Sequence, residues 1–160
     1  MAPMIHDDDI ADIEQRLGYY FEERGWLRLA LTHSSVGAEN NEVLAWLGDR
    51  IHGVWVARQL VARRQGATKG WLTDAAKGIV DGTAQAAAFD RLELEAHIQL
   101  GGSVTGAGRW VTASMKSTAF EAIVGAIEGD FFGRAVPVEE GAEAFLRRQF
   151  DELIAGIVSR

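Results

Sequence analysis

The chain is patterned for helices. Apolar residues recur at three- and four-residue intervals over long stretches, and Pro3 and Pro137 are the only prolines. No segment alternates apolar and polar residues as a half-buried strand would. The spacing predicts a first helix from about Asp9 to Leu17, with acidic residues before it at its positive end and Gly18 as its stop. A second covers roughly Gly25 to Thr32, carrying Trp26, Leu27, Leu29, Ala30 and Leu31. A long third begins near Asn40, a good N-cap, and runs to about Arg64. Its Val43, Leu44, Trp46, Leu47, Ile51, Val54, Trp55 and Leu60 span too wide an arc for a simple stripe, so it is expected to be buried on much of its circumference. Helices follow from about Lys69 to Val80 and from Thr83 to Phe89. The glycine-rich stretch Gly101 to Gly108 reads as a flexible connector. A helix from about Val111 to Phe132 carries Phe120, Ile123, Val124 and Ile127. A last helix is expected to have Pro137 in its first turn and Glu139 and Glu140 near its positive end. The fold class expected is all-α.

Composition narrows this picture. A chain of 160 residues that is 48% apolar suits one domain with a proper core, expected over residues 10–158 after an N-terminal tail, 1–9. The absence of cysteine excludes a disulfide framework and a thiolate metal site. No run of eighteen apolar residues exists, so no membrane span is expected, and Met1 to Asp9 lacks the apolar core of a signal peptide. The expected location is the cytoplasm, or an organelle after removal of a presequence. A net charge of −7 argues against a general nucleic-acid binder. It leaves room for a nuclease, whose metal site must be locally acidic.

Candidate chemistry centres on the third helix. Glu42, Ala45, Asp49 and His52 fall at i, i+3, i+7 and i+10, on one face of a largely apolar helix. Gly48 and Asp49 are both poor local choices in mid-helix, and such a breach often marks a site. Glu121 lies between Phe120 and Ile123 on the later helix, near Ser114, Ser117 and Thr118. Carboxylates from two packed helices can build a metal site inside a bundle, and hard cations prefer such oxygen ligands. Read singly, Asp49 and Glu121 are more often solvated face residues or local hydrogen-bond partners, and His52 a packed or surface histidine.

At these residues the chain resembles the ribonuclease III family. Asn41-Glu42-Val43-Leu44-Ala45-Trp46-Leu47-Gly48-Asp49 is similar to the family signature Asn-Glu-Arg-Leu-Glu-Phe-Leu-Gly-Asp. Ile13 to Tyr19 and Leu29 to Ser35 resemble the opening helices, and Ala119 to Ile127 resembles the second catalytic helix. The matches fall in family order from about residue 10 to 150. The resemblance implies the ribonuclease III endonuclease fold in a symmetric homodimer. It implies magnesium- or manganese-dependent cleavage of double-stranded RNA that leaves a 5′-phosphate and a 3′-hydroxyl. It places four metal-binding acids at Ala45, Asp49, Thr118 and Glu121, with Glu42 at a further acidic position nearby. Asp49 and Glu121 match as catalytic and metal-binding acids, and Glu42 joins them as a metal candidate. Ala45 and Thr118 do not match. Alanine cannot bind a cation and threonine offers only a neutral hydroxyl, so the loss weakens the site by several kcal/mol. His52, one turn past Asp49, is a candidate helper, although nitrogen is a poor magnesium ligand.

The resemblance also bears on partners. Trp46 takes the position of the aromatic that the family inserts into a socket on the partner subunit; the other reading is ordinary monomer core. With the sequence ending at Arg160, the family's usual double-stranded-RNA-binding domain is expected to be missing, as in the family's minimal subgroup. The loop Leu100 to Arg109 offers one basic residue, Arg109. Arg58, Arg63, Arg64 and Lys69 are therefore the candidate RNA contacts, or else a solvated helix end. The functions to be weighed are a divergent endoribonuclease, an inactive RNA-binding or ribosomal scaffold, a heterodimer partner of a complete family member, and a task unrelated to RNA.

Overall fold

The computed structural model describes residues 5–108, 110–132 and 141–160. Eight helices follow one another among these residues: α1 (Asp7–Leu17), α2 (Gly25–Ala30), α3 (Glu42–Arg63), α4 (Lys69–Val80), α5 (Gly82–Arg91), α6 (Gly102–Thr105), α7 (Ala113–Phe131) and α8 (Ala142–Val158). A short 3-10 turn, Glu95–His97, lies between α5 and α6. No strand occurs among the described residues; Thr32 and Gln99 form one isolated parallel bridge. No helix among them is long and apolar enough to cross a membrane.

Local chemistry sets the helix ends. Gly18 closes α1 in the left-handed conformation, φ 65°, that a glycine adopts at least cost. Thr68, Asp81 and Thr112 each accept a backbone N–H at the start of α4, α5 and α7. Asp81 moves the start of α5 to Gly82, one residue before the position the spacing predicts, because its Oδ1 accepts from Ala84 N at 2.8 Å. The acidic run lies inside the first turn of α1, where Asp7 also pairs with Arg28 at 2.7 Å. Asn40 accepts from Glu42 N at 3.0 Å, and α3 starts one residue after Asn41. The positions of Pro137, Glu139 and Glu140 lie outside the described residues; the described part of the last helix begins after Gly141.

The segment Gly101 to Gly108 is not a plain connector. It contains the one-turn α6, and Gly101 N donates to Ser35 Oγ at 2.9 Å. A Cβ at Gly101 would meet the Ser35 carbonyl at 2.0 Å, so its glycine serves close packing against the chain before α3.

The core sits around α3 and α7, which form the principal helix pair; α5 and α2 flank α7, and α4 and α8 flank α3. Phe120, Ile123, Val124 and Ile127 of α7 are fully buried, as are Trp55 and Leu60 of α3 and Phe145 and Phe150 of α8. The expectation of a buried α3 holds on the sides facing α7, α4 and α8. Val43, Trp46, Val54 and Val61 are exposed on the other side, at 78%, 63%, 53% and 63%.

Candidate active site

The site is built where α3 crosses α7. A Cβ on Gly48 would lie 1.8 Å from the Glu121 carbonyl oxygen, and one on Gly125 would lie 2.1 Å from the Leu44 carbonyl. The two backbones therefore touch, and only glycine fits at either position. This is the physical reason for the mid-helix glycine in the signature. The crossing carries Asp49 on α3 against Glu121 on α7.

The two carboxylates lie near enough for the charge of Asp49 to act on Glu121. Asp49 retains 42% side-chain exposure and Glu121 is half-buried. The Glu121 carboxyl is pushed above its ordinary range, mainly by burial, with repulsion from Asp49 adding to the rise. A hydrogen bond from Gln85 and the positive charge of Arg50 act in the opposite direction. A buried carboxylate beside a second negative charge, as Glu121 is beside Asp49, is one that a cation would stabilise. Arg50 supplies such a charge within the chain. Its guanidinium pairs with Asp49 and lies 5.3 Å from the centre of the Trp46 ring.

The other expected site residues are placed differently. Glu42 is exposed at the start of α3, about two turns before Asp49. No three histidine, aspartate or glutamate side chains gather as a metal cluster among the described residues. The structure thus joins Asp49 to Glu121 and does not bring Glu42 into a three-acid group with them. Ala45 is buried, and Thr118 is half-buried. His52 turns into the core. It stacks on Phe150 at 4.6 Å and meets Phe120 edge-on at 6.0 Å. Burial lowers its pKa to about 4, so the ring is neutral.

Beneath Glu121 lies a polar chain that periodicity did not flag. Ser117 Oγ donates to Gln85 Oε1 at 2.6 Å, and Gln85 Nε2 lies 3.3 Å from His52 Nδ1. Gln85 and His52 are each 1% exposed. The one sequence signal for Gln85 is its place as a lone polar residue within the alanine run Ala84-Gln85-Ala86-Ala87-Ala88.

The donor set fits one hard cation and not two. Magnesium and manganese accept one or two carboxylates and keep several waters, which Asp49 and Glu121 satisfy. A second ion would need the charges absent at Ala45 and Thr118.

Of the cationic residues proposed to meet RNA, three hold the helices together. Arg58 pairs with Glu143 at 3.2 Å, and Arg63 pairs with Asp151 and with Gln59. Arg64 donates to the Val158 carbonyl at 3.4 Å and lies 4.1 Å above the Trp71 ring. Lys69 is exposed at the start of α4. Arg109 lies outside the described residues. Trp46 does not belong to the core of the single chain, as its exposure shows.

A family model described as the ribonuclease III domain matches residues 42–130. Among curated proteins, the chain is similar to Ribonuclease 3 of Coxiella burnetii, strain Dugway 5J108-111. Identity there is 39% over 113 residues, covering 71% of this chain and 48% of that protein. It is also similar to Ribonuclease 3 of Phenylobacterium zucineum, at 33% over 153 residues, covering 91% and 61%. The chain thus spans about half to three-fifths of the curated relatives it matches. Its fold is similar to the solved nuclease domain of ribonuclease III from Campylobacter jejuni. The TM-score is 0.76 and the identity 28%, over 94% of this chain and 99% of that one. That structure is described as showing flexibility in a region involved in dimer formation. A second structure of the same domain gives a TM-score of 0.73 at 27% identity.

Proposed function

The chain belongs to the ribonuclease III domain family, and from that premise we propose that it is a divergent, metal-dependent endoribonuclease domain acting on double-stranded RNA. The observation that carries this reading is the Asp49–Glu121 pair, held together by the glycine crossing of α3 and α7. Asp49 and Glu121 would hold one magnesium or manganese ion. Such an ion, when bound, supplies an activated water and steadies charge on a phosphodiester. Asp49 contributes the more solvated carboxylate and Glu121 the more buried one. Burial around Glu121 strengthens its electrostatic attraction for a cation. Arg50 must release Asp49 for an ion to enter; the pair is substantially exposed, so this exchange costs little.

The domain would work as a homodimer through the exposed face of α3, with Trp46 as anchor. Arg58, Arg63, Arg64 and Lys69 would meet the phosphate backbone. Arg58 and Arg63 would exchange carboxylate partners for phosphate, which weak surface ion pairs permit, and Arg64 would leave the Val158 carbonyl.

A second reading is favoured by one observation, the Arg50 guanidinium resting on Asp49. In that reading the fold is an inactive scaffold, or the heterodimer partner of a complete family member. Incubation of the purified chain with long duplex RNA and magnesium or manganese separates the two. The nuclease reading expects cleavage that falls by at least about a hundredfold in Asp49→Asn and Glu121→Gln, the scale of losing an essential charge at a reacting phosphate. Intact RNA across a wide range of metal concentration would establish the scaffold reading instead.

A further inference from the structure

Hydrolysis of a phosphodiester needs positive charge at both the attacking and the leaving oxygen, and a single ion serves one side well. The charges that would hold a second ion are absent at Ala45 and Thr118. A cation belonging to the chain stands at the same place. Arg50 follows Asp49 on α3, and its Nη1 donates to Asp49 Oδ2. Asp49 is its one carboxylate partner among the described residues. A group that touches Asp49 is one ligand away from anything else sharing that carboxylate, a phosphate included. The guanidinium has five N–H donors in a planar fork, and that fork matches two phosphate oxygens. Its side chain is 59% exposed, so it can leave Asp49 without repacking the core. The Trp46 ring, 5.3 Å away, keeps the charge at the rim of the site when it does.

We propose that Arg50 is a catalytic residue, the site's built-in second cation: released from Asp49, its guanidinium binds the scissile phosphodiester and supplies there the positive charge that a second ion would otherwise bring. This rests on the metal-binding reading of the Asp49–Glu121 pair. In the hydrolysis a water oxygen bonds to phosphorus, the bond from phosphorus to O3′ breaks with its electron pair going to O3′, and one proton of the water ends on O3′. Arg50 stays protonated throughout and offsets charge on the phosphate oxygens. The contact with Asp49 is then the resting position of a substrate-binding group in the free chain.

The test compares Arg50→Ala and Arg50→Lys with the parent, all as the full chain and at concentrations where light scattering gives the same oligomeric state. Manganese alone, followed by its paramagnetic resonance signal, reads the metal site without turnover. Arg50→Ala is expected to bind manganese at least as tightly as the parent, because Asp49 loses a competitor. With manganese saturating and duplex RNA in excess, its turnover is expected to fall by about 100-fold or more, the scale of losing one donor to a charged transition state. Arg50→Lys, which keeps the charge without the fork, should fall between the two. Turnover in Arg50→Ala equal to or above that of the parent would overturn the proposal and make the contact a plug. Weaker manganese binding in Arg50→Ala would also overturn it, by making Arg50 a support of the metal site. A parent that binds manganese but leaves duplex RNA intact would overturn the proposal while the metal reading stands. A parent that binds no manganese would end both.

Discussion

His52 shows how a residue can share a sequence pattern with a site and belong to something else. It falls at i+10 from Glu42 and one turn past Asp49, the spacing of a ligand. The structure seats it between Phe120 and Phe150, where burial lowers its pKa to about 4 from 6.5. A histidine with a depressed folded-state pKa stabilises the fold fully above the unfolded value. That contribution is lost as pH falls from about 6.5 to about 4, because only the unfolded chain gains a proton in this window. The loss amounts to about 3 kcal/mol. Glu121 and Glu128, both raised mainly by burial, act in the opposite sense on acidification. The difference between the parent and His52→Leu isolates the histidine. Denaturant unfolding between pH 7 and pH 4 should show a shallower decline in His52→Leu; parallel curves would place the acid sensitivity elsewhere. At this scale Asp49 and Glu121 were legible, since each is a carboxylate in an apolar helical run. Arg50 and Gln85 were not, because an ion pair between sequence neighbours and a contact between α5 and α7 have no periodic trace.

At the scale of elements, the glycines at the crossing matter more than helix propensity. Gly48 and Gly125 sit in mid-helix, where each is a poor helix former, yet together they let α3 and α7 meet backbone to backbone. Gly48→Ala would force a methyl group into the Glu121 carbonyl, a backbone atom that cannot swing aside. We predict a loss of about 3 kcal/mol, or about 10 °C in Tm, at the upper end for overpacking. A calorimetric Tm within about 2 °C of the parent would mean the helices do not cross this closely. Gly53, on the same helix with open space around it, should tolerate alanine and is the natural control. The helices themselves were readable from spacing, caps and breakers to within about two residues. The stretch after Gly101 was misread, since glycine there marks contact with Ser35 and not only freedom of the chain.

At the scale of the molecule, the unsatisfied feature is the apolar face of α3. Val43, Trp46, Val54 and Val61 lie along it with Arg50, exposed beside the acids. The wide apolar arc of α3 was read as burial on much of its circumference. It is instead two faces, one inside the fold and one outside, a distinction that one chain's hydrophobic pattern cannot make. Pairing of two copies through this face would remove the exposed stripe from water. Light scattering at micromolar concentration should give a dimer for the parent chain and a monomer for Trp46→Asp, with unchanged helical content. A parent that is monomeric at that concentration would contradict the pairing.

The site at the crossing is reached most directly by crystals grown with manganese and measured at its absorption edge. The predicted result is one anomalous peak within ligating distance, about 2.0–2.4 Å, of both Asp49 and Glu121, with Arg50 swung away. Crystals equilibrated at tens of millimolar manganese that show no peak there, with Arg50 still on Asp49, would contradict a working metal centre in this fold.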